Sequence, residues 1–341
     1  MIMIRKLIIR NFGAIKSADI DLKDYNVFIG EQGSGKSTIA KLITIFEENA
    51  TNLFQDKGFD LKPLFEEYNI ASYFNSDTYI HYIGESVTIS YLQGKFDFAI
   101  SEGQAVGERE QIKSLYIPAE RFFVSTFSRS LATLVLNKAP IPDTLLKFAS
   151  IYEKAKKKYP DYNVPIFNLL FQTNNSNETL LLKDSDKTIP FKDASSGMQS
   201  VIPLLMVLDY AVEEKEYSRF VVEEPELNLF PQTQVKLLHQ MIGKCKKLTI
   251  TTHSPYLLSA FNNLIEANNV LNADISKAAE VYKLVPQACV LDFDNVGAYK
   301  IEGGEVLSIL DKEYRLIVAD QIDSVADQES RIFSELLALE V

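Results

Sequence analysis

Gly30-Glu31-Gln32-Gly33-Ser34-Gly35-Lys36-Ser37-Thr38 fits G-x-x-x-x-G-K-[ST], the pattern of a phosphate-binding loop. Both flanks agree with it. Tyr25-Asn26-Val27-Phe28-Ile29 reads as a short buried strand, and Ile39 to Phe46 is an uninterrupted helical run. Glycines let backbone N–H groups turn inward around phosphate oxygens, and the new helix points its positive end the same way. Lys36 is placed to reach the β- and γ-phosphates, and the Ser37 hydroxyl to ligate Mg²⁺. A chance Gly/Ser turn would explain the loop but not the strand and helix around it. The stretch is a nucleotide site, with ATP and Mg²⁺ as the expected cofactors.

The 341 residues are enough for one large domain or two ordinary ones. With 46% hydrophobic and 24% charged residues, the composition is that of a soluble globular protein. No apolar run approaches the roughly 20 residues that cross a bilayer. Met1 to Lys6 carries no signal-peptide pattern. The two cysteines, Cys245 and Cys289, are too few for a disulfide framework, so the expected setting is the cytoplasm. A net charge of −11 disfavours nucleic acid over the surface as a whole and leaves room for a local basic groove.

Upstream of the loop, Ile4 to Arg10 and Ile15 to Leu22 alternate into two strands around Asn11-Phe12-Gly13. The stretch Ile8 to Ile15 followed by Ile29 to Thr38 resembles the opening of the ABC-type ATPase heads of SMC and RecF proteins. It departs at Glu31-Gln32, where those heads usually carry Asn before the middle glycine. Tyr79 to Ile83, Val87 to Leu92 and Phe96 to Ile100 read as a three-stranded meander. Leu115 to Pro118 reads as a core strand leading into Ala119-Glu120-Arg121-Phe122. The resemblance puts a polar loop facing the nucleotide here, which Glu120 or Arg121 could supply; a structural ion pair is the alternative.

Helices are expected at Ser128 to Lys138 and Thr144 to Lys158, the second ending in a lysine-rich run that is either a solvated face or an anion-binding patch. SMC proteins place a long coiled coil in this region. Without sustained heptads, this chain is a head without an arm. A loop at Asn174 to Asn177 precedes a hairpin of Thr179 to Leu182 and Lys187 to Phe191.

Ala194-Ser195-Ser196-Gly197-Met198-Gln199 leads into an apolar helix and resembles the family signature Leu-Ser-x-Gly-x. The resemblance implies that Ser195 and Gly197, or Ser196 in a shifted register, face the γ-phosphate held by the opposite subunit. A plain N-cap is the alternative. Phe220-Val221-Val222 runs into Glu223-Glu224-Pro225-Glu226, placing carboxylates at a strand end beside the loop. Glu223 is expected to hold Mg²⁺ and Glu224 to act as general base. Leu227 to Gln232 resembles the loop that lies between subunits. His253 follows the strand Leu248 to Thr252 at the family's switch position, with a structural role as the alternative.

These motifs make the chain similar to the ABC-type ATPase superfamily, nearest to stand-alone bacterial ATPases akin to the ATPase half of overcoming-lysogenisation-defect (OLD) proteins. The expected fold is α/β: a P-loop sheet with an antiparallel β-subdomain and a helical insertion. One ATPase domain would span 1–341, with its core at 1–127 and 178–285. The insertion would be 128–177, and 286–341 a C-terminal hairpin and helix. Of the later acidic pairs, Asp292-Phe293-Asp294 comes nearest to a nuclease metal motif. Three functions compete: an ATP-driven switch that homodimerises and controls a separate effector protein, as in antiphage defence; a DNA-repair or DNA-sensing ATPase; and a transporter subunit. The transporter reading lacks a full signature and an adenine-stacking aromatic. The switch is the expected function.

Overall fold

The computed structural model describes residues 5–55, 60–85, 87–100, 113–127, 131–174, 177–185, 187–318 and 330–334. Strands β1 (Arg5–Phe12) and β2 (Ile15–Leu22) form a hairpin, and β3 (Tyr25–Gly30) runs through the glycine loop into α1 (Lys36–Gln55). After α2 (Lys62–Glu67) comes the meander β4 (Tyr79–Ile83), β5 (Val87–Leu92) and β6 (Lys95–Ile100). β7 (Ser114–Ile117) is followed by α3 (Phe122–Phe127), α4 (Leu131–Leu136) and α5 (Asp143–Lys158). Then come β8 (Asp161–Val164), β9 (Leu169–Asn174), β10 (Asn177–Leu182) and β11 (Lys187–Pro190). An alternating run of α6 (Ser196–Glu214), β12 (Arg219–Glu223), α7 (Pro231–Lys244), β13 (Leu248–Thr252) and α8 (Pro255–Ala273) leads to the hairpin β14 (Val296–Glu302) and β15 (Glu305–Ser308).

Eleven strands make one sheet in the order β6-β5-β4-β1-β2-β15-β14-β3-β13-β12-β7. From β14 to β7 the neighbours are parallel. From β14 to β6 they are antiparallel, except where β15 meets β2. Every residue of β12 and β13 is buried, as expected of parallel strands covered on both faces. Alternation divides their side chains between two cores. Val27, Val222 and Ile250 face α5 to α8, while Phe28, Val221 and Tyr116 face α1 and the meander. Buried Glu47 of α1 forms an ion pair with Arg219, Nε at 2.8 Å, and accepts from Ser114 Oγ (2.7 Å), pinning the helix to the starts of β12 and β7.

The antiparallel strands of the β-subdomain are continuous with the nucleotide sheet. Within 128–177, the described residues are α-helical only to Lys158. Alternating Tyr162, Val164, Leu169 and Phe171 are buried, and β8 and β9 join β10 and β11 in a four-stranded sheet that shields them. Of the expected loop, Asn174 and Asn177 instead end β9 and begin β10, paired with each other. The expected final helix lies outside the described residues, apart from helical 330–334.

Candidate functional site

Register brings the motifs to one sheet edge. Thr252 of β13 pairs with Ile29 of β3, and Glu223 of β12 pairs with Thr251 of β13. The loop after β3, the carboxylates after β12 and His253 after β13 thus leave neighbouring strand ends together. Gly35 makes its turn at φ +108°, a conformation that L side chains rarely adopt. The loop delivers the chain into α1, whose first residue is Lys36. That helix end supplies free N–H groups and a positive dipole for an anion.

Lys36 is buried, and its Nζ donates to the carbonyls of Gly30 (2.9 Å) and Glu31 (2.8 Å). It lies 3.4 Å from Nδ1 of His253, whose Nε2 lies 3.0 Å from a Glu224 carboxylate oxygen. Ammonium only donates and carboxylate only accepts, so this chain fits the neutral imidazole with its proton on Nε2. Burial lowers the Lys36 pKa, opposed by Glu224, Glu226 and Glu223. Three sequence-predicted residues, Lys36, Glu224 and His253, therefore form one connected unit.

Glu223 is buried, and one of its carboxylate oxygens has no hydrogen-bond partner. Burial raises its pKa, opposed by the hydroxyls of Ser37 and Tyr116. Among the described residues no group of three or more His, Cys, Asp or Glu could hold a metal. An orphaned carboxylate facing a loop hydroxyl still fits Mg²⁺, which takes one or two protein oxygens and leaves its other positions to phosphate and water. Ser34 Oγ, Thr251 Oγ1 and the second Glu226 oxygen are also buried without partners near this edge. Glu31, Gln32 and Gly33 are exposed along the loop, and Thr38 is buried behind it.

Glu224 has φ +41°, a left-handed value that costs a non-glycine residue on the order of 1–2 kcal/mol. Its N–H donates to the Thr251 carbonyl (2.9 Å). Glu226 accepts from Thr252 Oγ1 (2.6 Å) and the His253 N–H (2.8 Å), fixing the backbone that carries the imidazole. Neither Glu226 nor Tyr116 was singled out for such a support in the sequence. Of the open pair, Glu120 is exposed and Arg121 fully buried. Arg121 makes backbone contacts, not the ion pair that was the alternative reading: its guanidinium donates to the carbonyls of Glu223 (2.7 Å) and Glu224 (3.0 Å).

Ser195 caps α6 by accepting from Met198 N–H at 3.4 Å, and Ser196 begins the helix. Both are exposed, and neither joins the Lys36–His253–Glu224 unit through a hydrogen bond among the described residues. Gly197 lies so close to the turn after the carboxylates that a Cβ would stand 2.6 Å from the Asn228 carbonyl. Two lysines of the run are paired: Lys156 with Glu153 and Glu178, and Lys158 with Glu213 and Glu214. Asp292 and Asp294 both pair with Arg315 at 3.1 Å, which occupies the nearest nuclease-like pair.

Residues 3–159 and 108–258 match the family model described as AAA ATPase domain. No curated protein matches the sequence. Among solved structures the chain is similar to the SMC head domain from Thermotoga maritima, at 10% identity and TM-score 0.45 over 90% of this chain and 98% of that one. An Smc head domain with an extended coiled coil, bound to the C-terminal domain of ScpA and derived from Pyrococcus furiosus, matches at 11% identity and TM-score 0.43 over 98% and 99%. An ATP-binding cassette of an ABC transporter in its ADP conformation matches at 12% identity and TM-score 0.38 over 97% and 99%. No helix among the described residues is long and apolar enough to cross a membrane.

Proposed function

We propose, starting from the fact that the chain belongs to the AAA ATPase domain family, that it is an ATP-hydrolysing molecular switch working as a single ATPase unit whose nucleotide sites are completed when two copies meet. The carrying observation is the hydrogen-bonded unit of Lys36, His253 and Glu224 at adjacent strand ends, beside the buried Glu223. Loop N–H groups and Lys36 would bind the phosphates, and Ser37 and Glu223 would hold Mg²⁺, which supplies charge neutralisation when bound. Glu224 would accept a proton from the attacking water, while His253 orients Glu224 and senses the γ-phosphate.

The dimer is supported by what the unit leaves out. Ser195 and Ser196 stand exposed at the start of a long helix and, among the described residues, make no hydrogen bond with Lys36, His253 or Glu224. Phe230 and Tyr256, in the segments after the carboxylates and after His253, are 71% and 51% exposed. Exposed aromatics beside a polar site are the usual anchors of a protein interface. We further propose that the switch governs a separate effector protein, with antiphage defence the setting suggested by the OLD-like motifs. The Asp292–Asp294 pair is held by Arg315, and Lys156 and Lys158 of the lysine run are paired with glutamates, which favours the switch over a nuclease or nucleic-acid-binding role.

Mixing Lys36→Ala chains with Ser195→Arg chains tests the shared site. A mixed dimer has one site with both lesions and one with neither, so two inactive proteins should regain part of the wild-type ATPase rate. Native mass spectrometry with and without ATP reads the stoichiometry in parallel. Hydrolysis by purified monomer at a rate independent of protein concentration would overturn the reading.

A further inference from the structure

We propose that Arg121 is a positioning residue: its guanidinium holds the backbone of Glu223 and Glu224 in the left-handed turn that aims the Glu224 carboxylate at His253. The proposal rests on the reading of Glu224 as the base and adds the residue that sets its direction. Arg121 is wholly buried at the end of β7, the strand next to β12. One terminal nitrogen donates to the Pro118 and Glu223 carbonyls at 3.1 and 2.7 Å, and the other to the Glu224 carbonyl at 3.0 Å. Among the described residues no carboxylate lies within ion-pair distance of it. A cation is therefore buried against carbonyls alone, although surface arginines elsewhere in the chain take carboxylates.

The two carbonyls explain why arginine suits this place. Positive φ at Glu224 swings successive peptide planes so that the Glu223 and Glu224 oxygens converge on one side. A planar fork can donate to both at once, whereas one ammonium or amide covers them poorly. With the Glu224 N–H held by Thr251 and its carbonyl by Arg121, the residue is fixed on both sides. Its Cα–Cβ bond is thereby fixed in direction, and from it the carboxylate reaches His253 Nε2 at 3.0 Å. The three carboxylates of 223–226 and that of Glu120 favour the cation, while burial opposes it and pushes the pKa down to about 10, so Arg121 stays charged through the neutral range.

Arg121 also connects to the signature helix. It leads directly into α3, whose Ser125 Oγ donates to the Gln199 carbonyl of α6 at 2.7 Å. The same helix thus touches the segment expected to face the partner's site and ends on the residue that orients the base.

The test compares Arg121→Met and Arg121→Lys with Glu224→Gln in the full chain, measuring kcat, KM for ATP, affinity for a non-hydrolysable ATP analogue, and Tm. Arg121→Met should lower kcat roughly 10²-fold, the lower end of what a positioned base supplies, with analogue affinity within about threefold of wild type. Arg121→Lys, which keeps the charge and some donors, should recover part of kcat and serves if the Met variant does not fold. Combining Arg121→Met with Glu224→Gln should cost no more than Glu224→Gln alone, because both lesions remove one function. Multiplicative losses in the double variant overturn the proposal while leaving Glu224 as base; so does unchanged kcat in a folded Arg121 variant. Normal turnover by Glu224→Gln would instead overturn the base assignment and the proposal that rests on it.

Discussion

Glu223 is held where burial works against its charge, and Glu224, the next residue, is fixed by its backbone and left able to reach His253. Substituting each with Gln should therefore give opposite signatures. Glu224→Gln should keep ATP binding and cut kcat by about 10²–10⁴-fold, read from steady-state rates beside analogue affinity. Glu223→Gln should weaken Mg²⁺-dependent binding yet stabilise the nucleotide-free protein by on the order of 1 kcal/mol, since it removes a buried charge with an orphaned oxygen. Because burial raises the Glu223 pKa, its stabilising contribution is greatest below the ordinary glutamate value and is lost as pH rises through the folded value. Melting curves across that range should flatten in Glu223→Gln. Lys36→Ala should abolish productive binding and also cost about 1 kcal/mol, because the carbonyls of Gly30 and Glu31 lose their shared donor. In the nucleotide-free protein this lysine already has three partners, the two carbonyls and His253 Nδ1. Lys36, Ser37, Glu223, Glu224 and His253 were legible because phosphate and water chemistry ties residue type to a strand end. Arg121 was not readable as a clamp because its partners lie 102 and 103 positions away.

Helix α6 carries Pro203 in its interior, fully buried. Proline has no N–H, so the carbonyl four residues earlier, that of Gln199, loses its helical donor. Ser125 Oγ of α3 takes its place at 2.7 Å. Gln199 also spends its side-chain amide on the Lys192 (2.9 Å) and Ala194 (3.1 Å) carbonyls, tying down the approach to the signature turn. Ser125→Ala should leave a buried carbonyl unpaired at a cost of about 1–3 kcal/mol, read by denaturant melts. Gly197→Ala should be at least as damaging, because the new methyl meets the Asn228 backbone at 2.6 Å and no rotamer relieves it. In both variants hydrolysis should fall further than nucleotide binding. The apolar helix was visible in the sequence, but a proline inside it gave no indication that a hydroxyl from residue 125 would accept its consequences. The strands β8 and β9 were missed for another reason: β8 has only four residues, and its strand partner is β9 itself.

Across the whole molecule, the sheet joins residues from both ends of the chain. β14 lies between β3 and β15, and β15 pairs with β2, so this hairpin is the hydrogen-bonded link between the nucleotide strands and the meander. Tyr299 Oη both accepts from the Asp21 N–H and donates to its carbonyl, each at 2.9 Å, across 278 positions. A chain ended at residue 285 should keep much of its helix but lose the cooperative unfolding transition and ATP binding, checked by circular dichroism melts and hydrogen exchange. The hairpin signal around Gly303-Gly304 was plain in the sequence, but its place between β2 and β3 was not, because local alternation says nothing of which edge a strand will find. That placement also sets a clock. At about 5–20 residues per second of synthesis, the edges of β2 and β3 wait on the order of half a minute for the strands that will cover them. Until residues 296–308 leave the ribosome, the nascent chain carries two open strand edges in a part made well before them, and it is during that interval that chaperones and misplaced strands compete for it.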